Sequence, residues 1–122
     1  MDKKKVLLVE DEEDLVVVLT LRLRAFGYDV CTAYDGQEGL EKVGKEKPDL
    51  IVLDLMLPKL DGFKVCEILK KDPRYSKIPI IVYTAKAQEK DMRMAKEAGA
   101  DAYITKTFEP QALVDKIREF LT

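Results

Sequence analysis

Glu10 and Asp11, Asp54, Thr84 and Lys106 each stand at or just beyond the end of a short apolar run in this 122-residue sequence. Carboxylates brought together repel one another unless a cation joins them. An all-oxygen donor set with few protein ligands suits Mg²⁺, which binds at about 2.0–2.1 Å and keeps several waters. Such an ion has open positions for a phosphoryl oxygen, while a neighbouring carboxylate attacks phosphorus to give an aspartyl phosphate. The Thr84 hydroxyl would donate to one phosphoryl oxygen and the Lys106 ammonium would pair with another, so positioning and charge carry the transfer. No general base is needed, because the carboxylate is already ionised. Taken singly, each residue has a blander use: acids after a strand cap the next helix, a threonine there does the same, and a loop lysine is solvated.

The combination has meaning only if the chain brings these positions to one edge. Val6–Val9, Leu50–Leu53 and Ile80–Tyr83 are apolar on both faces, as buried parallel strands are, with a weaker Ala102–Ile104 and an alternating Asp29–Tyr34. Helical spacing lies between them. Leu15, Leu19, Leu23 and Phe26 form one stripe stopped by Gly27. Asp35 with Glu38 reads as a capped helix start, and Pro110 as a first helical residue ahead of Leu113, Ile117 and Leu121. Two further helices fit Gly62–Lys71 and Gln88–Ala98. Five strands alternating with five helices predict a doubly wound α/β domain with a five-stranded parallel sheet. Ligands of such sheets bind beyond the carboxyl ends of the strands. In strand order 2-1-3-4-5 the first and third strands are neighbours, which brings Glu10, Asp11 and Asp54 together.

Composition excludes several alternatives. There is no histidine, which removes Ser-His-Asp and Cys-His catalysis, His-ligated zinc and self-phosphorylation on histidine. A net charge of −2 argues against a surface that neutralises many phosphates, so direct nucleic-acid binding is not expected. No apolar run approaches the roughly 18 residues of a membrane span, and only Val6–Val9 follows the basic start, so neither membrane insertion nor a signal peptide is expected, and the location expected is cytoplasmic. Residues 1–122 read as one domain with no output domain in this chain. Cys31 and Cys66 sit in apolar segments and read as reduced core thiols.

The strings Val-Leu-Leu-Val-Glu10-Asp11, Asp54-Leu-Met-Leu-Pro58-Lys-Leu-Asp61-Gly62, Thr84-Ala85 and Lys106, in this order and spacing, resemble the response-regulator receiver domains of two-component signalling. The likeness spans Lys4 to Leu121 and implies the flavodoxin-like architecture of single-domain chemotaxis regulators. It implies that Asp54 is the phosphoacceptor, Asp11 a direct Mg²⁺ ligand, Glu10 a ligand through water and the backbone carbonyl of Met56 a further ligand. Thr84 and Lys106 would contact the phosphoryl group, and Tyr103 would be the switch aromatic that follows Thr84. Met56 and Lys86 occupy positions that influence how fast the phosphoryl group is lost, while Pro58 and Gly62 shape the loop after Asp54. One departure is Lys106-Thr107, where the family usually has Lys-Pro. A cis bond without proline costs about 2.5–4 kcal/mol, so a trans bond and a re-shaped loop are expected.

The implied partners are a sensor histidine kinase, docked in part through Val17 and Leu21 on the outer side of the first helix, and a downstream protein or output domain of unknown identity. Phosphorylation-dependent homodimerisation is compatible with the pattern. The chain reads as a signalling switch and not as an enzyme with a separate substrate. A phosphotransferase of the haloacid-dehalogenase type also uses an Asp nucleophile with Mg²⁺, but needs a second acid at position 56, which is Met. The nucleotide-binding strings GxGxxG and GxxxxGK[ST] are absent. An unphosphorylated interaction module of the same fold is the remaining rival, and the complete set of acids, Thr and Lys speaks against it.

Overall fold

The computed structural model of the chain describes residues 3–106 and 109–122. Ten elements alternate: β1 (Lys5–Val9), α1 (Glu13–Ala25), β2 (Asp29–Ala33), α2 (Gly36–Glu46), β3 (Leu50–Leu53), α3 (Gly62–Lys71), β4 (Ile80–Thr84), α4 (Glu89–Glu97), β5 (Ala102–Thr105) and α5 (Gln111–Leu121). All four strand pairings are parallel and the order is β2-β1-β3-β4-β5, as the alternation of runs and periodic segments predicts. The Lys106-Thr107 bond lies outside the described residues.

The apolar runs are buried on both faces because helices cover both. Val6 and Leu8 of β1 pack with Leu19 and Leu23 of α1 and Leu113 and Ile117 of α5. Leu7 and Val9, pointing the other way, pack with Val43 of α2 and Val65, Cys66 and Leu69 of α3. α4 adds Ala95 against Leu55 and Val82. Two helix starts follow the capping expected of aspartate: Asp35 Oδ1 accepts from the Glu38 N–H at 2.8 Å, and Asp61 Oδ1 from the Lys64 N–H at 3.0 Å. Gly27 and Gly99 end α1 and α4 with φ of +90° and +103°, the left-handed region that glycine adopts at no steric cost.

The first helix sets Leu15, Leu19 and Leu23 of the predicted stripe against the core, and only Phe26 departs from it. Val16, Leu19 and Leu23 are its buried residues, whereas Phe26 is its C-terminal cap, 47% exposed, with the Arg118 guanidinium 4.2 Å from its ring centroid. The helix has ended by that position, so its periodicity no longer aims the side chain inward. Pro110 is the N-cap of α5 and not its first helical residue. Both cysteines are free, Cys66 buried and Cys31 half-buried. Among the described residues, no helix is long and apolar enough to cross a membrane.

Candidate functional site

Register brings the candidate residues to one edge. β1 pairs with β3 so that Val9 is opposite Leu53, and the Asp54 N–H donates to the Val9 carbonyl at 3.1 Å. Glu10 and Asp54 therefore leave adjacent strands side by side. Thr84 pairs with Thr105, and the Lys106 N–H donates to the Thr84 carbonyl at 2.8 Å, which fixes the start of the lysine side chain at the same edge.

Lys106 Nζ is the centre of the cluster. It lies 2.9 Å from Glu10 Oε1, 3.0 Å from Asp54 Oδ2 and 3.0 Å from Glu12 Oε1. The Glu10 and Asp54 side chains are each 4% exposed, while that of Glu12 is 62% exposed. The second Asp54 oxygen, Oδ1, accepts from the Met56 N–H at 3.1 Å. Burial pushes the Glu10 carboxyl up to about 7, with the hydrogen bond from Lys106 pulling the other way and the Asp54 charge adding to the rise. Burial also works against the Lys106 charge, but hydrogen bonds to Glu10, Asp54 and Glu12 outweigh it and hold the ammonium above its ordinary value.

Among the described residues, the three carboxylates that offer oxygens within 4.8 Å of one another are Glu10, Glu12 and Asp54. That hard, all-oxygen set fits a divalent cation of the Mg²⁺ class. It is not the trio that strand order alone predicts: Asp11 is exposed and outside this group. Glu12 is the member that the strand-end reading passed over. It is the N-cap of α1, its own side chain caps nothing, and its N–H donates to Glu10 Oε2 at 3.2 Å. The only signal for it was a third acid following Glu10 and Asp11.

Thr84 is fully buried and its Oγ1 accepts from the Lys86 N–H at 3.4 Å. It does not cap α4, whose N-cap is Gln88. The half-buried Tyr103 donates its hydroxyl to the Lys86 carbonyl at 2.6 Å, so one residue of the β4–α4 loop touches both Thr84 and Tyr103. Val17 and Leu21 lie on the outer face of α1, 57% and 66% exposed.

Two glycines hold the loops round the site by close approach and not by unusual φ. A Cβ on Gly62 would stand 2.1 Å from the Asp54 carbonyl oxygen, and one on Gly36 would stand 1.8 Å from that of Leu60. Gly62 was legible from its place after Pro58 and Asp61. Gly36 was not, because its neighbour is distant in sequence.

The family profile of the response regulator receiver domain matches residues 6–118. The chain is 48% identical over 118 residues to the alkaline phosphatase synthesis transcriptional regulatory protein PhoP of Bacillus subtilis, covering 97% of this chain and 48% of that one. It thus spans about half the length of the relatives it matches. Among solved structures, it is similar to a CheY-like response regulator receiver domain protein from Methanospirillum hungatei, with a TM-score of 0.91, 32% identity and coverage of 98% and 94%. It is also similar to the receiver domain of the Pseudomonas aeruginosa sensor histidine kinase PA1611, described with a magnesium ion coordinated in the active site cleft, with a TM-score of 0.88, 28% identity and 98% coverage of both chains.

Proposed function

Because the chain belongs to the response regulator receiver domain family, the phosphoacceptor modules of two-component signalling, we propose that Asp54 is the residue that takes the phosphoryl group. The observation that carries this reading is the handling of its two oxygens. Oδ2 is held by Lys106 at 3.0 Å and Oδ1 by the Met56 N–H at 3.1 Å, in a side chain with almost no exposure. A carboxylate so buried and oriented, with both oxygens held by hydrogen-bond donors, has lost its hydration shell and is aimed, as a nucleophile requires.

In the proposed step an Asp54 oxygen attacks the phosphorus of a kinase phosphohistidine. The P–O bond forms as the P–N bond breaks, and the departing imidazole nitrogen takes a proton. Lys106 turns from Glu12, its exposed partner, to a phosphoryl oxygen, and the Thr84 hydroxyl donates to another. Mg²⁺, when bound, supplies charge neutralisation and orientation of the phosphoryl oxygens. Asp11 and the Met56 carbonyl are the direct ligands in this reading and Glu10 acts through water, with Glu12 as a further acid within reach. The magnesium named for the Pseudomonas aeruginosa receiver supports that choice of ion. The same residues, with water as attacking group, return inorganic phosphate and reset the switch.

The charge added at Asp54 draws on Thr84, and through Lys86 on Tyr103, shifting the population between two states of the face formed by α4, β5 and α5. That face would then gain or lose a downstream protein or a second copy of the chain. Val17 and Leu21 line one groove with Thr20, Arg24 and Tyr34, and we assign them to docking of the kinase's helical bundle. The net charge of −2 supports a domain that leaves DNA contact to other segments. A cytoplasmic place beside the kinase goes with this reading.

The test is intact-protein mass after incubation with acetyl phosphate and Mg²⁺. One phosphoryl adduct is expected, lost in Asp54→Ala and with EDTA. A folded, Mg²⁺-binding wild type that gains no adduct would refute the proposal in favour of an unphosphorylated interaction module.

A further inference from the structure

Asp91 is a carboxylate outside the phosphoryl site that is nonetheless only 5% exposed. Buried carboxylates are ordinarily paired. Its partner is Lys86, whose Nζ stands 3.9 Å from Oδ1, with the lysine side chain 39% exposed. The same Lys86 donates its backbone N–H to Thr84 Oγ1 and accepts the Tyr103 hydroxyl on its carbonyl. Among the described residues, the hydrogen bonds and the ion pair that fix Ala85 to Ala87 all pass through Lys86. The loop between β4 and α4 thus has one anchor on each side: strand hydroxyls on one, and the first turn of α4, through Asp91, on the other. The field of Asp91 also reaches the phenol, whose titration is raised first by burial and then by the charges of Asp91 and Asp54.

We propose that Asp91 is a positioning residue for the switch: by holding the Lys86 side chain it fixes the β4–α4 loop where the Lys86 carbonyl meets the Tyr103 hydroxyl. The proposal rests on the reading of Thr84 and Tyr103 as the moving parts, and adds the group that sets their resting balance. A carboxylate on α4 thereby ties the β4–α4 loop to the helix whose face it reshapes. Loss of the pair frees the loop, and the Tyr103 hydroxyl loses its acceptor.

The test separates positioning from simple charge. Protein carrying 3-fluorotyrosine is followed by ¹⁹F NMR, with the Tyr103 resonance identified from Tyr103→Phe among the five tyrosines. A phenol that donates to a carbonyl is stabilised in its protonated form, so losing the bond lowers its titration midpoint. Removing the Lys86 cation would by charge alone raise that midpoint. Lys86→Met is expected to lower it, with a change in proton affinity of about two- to fivefold, the range an ion pair of this kind carries. Asp91→Asn should lower it as well, the double variant should go no lower than the single ones, and Asp91→Glu should restore it. A midpoint that rises or stays in Lys86→Met overturns the proposal, and this variant tests it even if Asp91→Asn does not fold. The measurement is made on unphosphorylated protein, so failure of Asp54 to accept a phosphoryl group would show separately, in the mass experiment.

Discussion

Lys106→Met retains an apolar stem of similar length and deletes the ammonium that three carboxylates share. Glu12, already 62% exposed, swings into water at little cost. Glu10 and Asp54 cannot, since each side chain is 4% exposed. Two buried acids then face one another with no cation between them. Removing one partner of a buried pair costs about 3–5 kcal/mol. The lysine side chain itself is 12% exposed, so some water reaches the site, and we predict about 3 kcal/mol. Mg²⁺ should offset most of that loss. An ion that binds only the folded state, at 100 times its Kd, returns about 2.7 kcal/mol, and a site stripped of its internal cation should bind it more tightly than wild type does. The assay is urea unfolding followed by circular dichroism, since the chain has no tryptophan, in EDTA and in saturating Mg²⁺. The reasoning is refuted if the variant matches wild type to within about 0.5 kcal/mol in EDTA, or if Mg²⁺ stabilises both proteins equally.

Gly62→Ala would put a Cβ 2.1 Å from the Asp54 carbonyl oxygen and 2.7 Å from Leu55 Cα. Moving the start of α3 or the end of β3 to relieve it should cost about 1–3 kcal/mol in urea unfolding and slow phosphoryl uptake in the mass assay. The Cys66 thiol, pushed up to about 11 chiefly by burial, should stay unalkylated by iodoacetamide at pH 8 in the folded protein and react when unfolded. Since its folded value lies above the unfolded one, this thiol's contribution to stability is present below pH 9 and is lost as pH rises towards 11. Val17→Asp and Leu21→Asp should slow phosphotransfer from a cognate kinase while shifting stability by less than about 0.5 kcal/mol, because both side chains are more than half exposed. Unchanged transfer would remove α1 from the docking surface.

The sheet was legible because a parallel strand covered on both sides has no polar face, and Leu50–Leu53, with all four residues buried, carries that signature in the sequence itself. The edge of the sheet was legible for the same reason: the first polar residue after each run marks where the strand leaves the core. What the pattern does not encode is where a side chain turns after the strand has ended. Asp11 follows Glu10 directly yet faces out, and Glu12, one residue further, returns to Lys106. Phe26 continues a helical stripe in the sequence but lies past the last turn of α1. Gly36 is invisible for a third reason. What excludes a side chain there is a carbonyl of the loop ahead of α3, and no local propensity records a contact across that distance.

The Lys106 cluster explains why one of its three acids should be exposed. A buried ammonium held by Glu10 and Asp54 alone would be fixed by partners that lose their only cation if it moves. Glu12 changes that balance. An exposed pair is worth about 0–1 kcal/mol, so, if Lys106 takes the role proposed for it, the contact with Glu12 is the one expected to yield to a phosphoryl oxygen. The buried contacts to Glu10 and Asp54 would meanwhile keep Nζ beside the Asp54 carboxylate. The ammonium is thus anchored by two buried partners and held by one exposed partner, the arrangement that the proposed turn to a phosphoryl oxygen would need. Thr84, tied to Lys106 through the backbone and to Tyr103 through Lys86, is the link by which a shift of Lys106 would reach Tyr103.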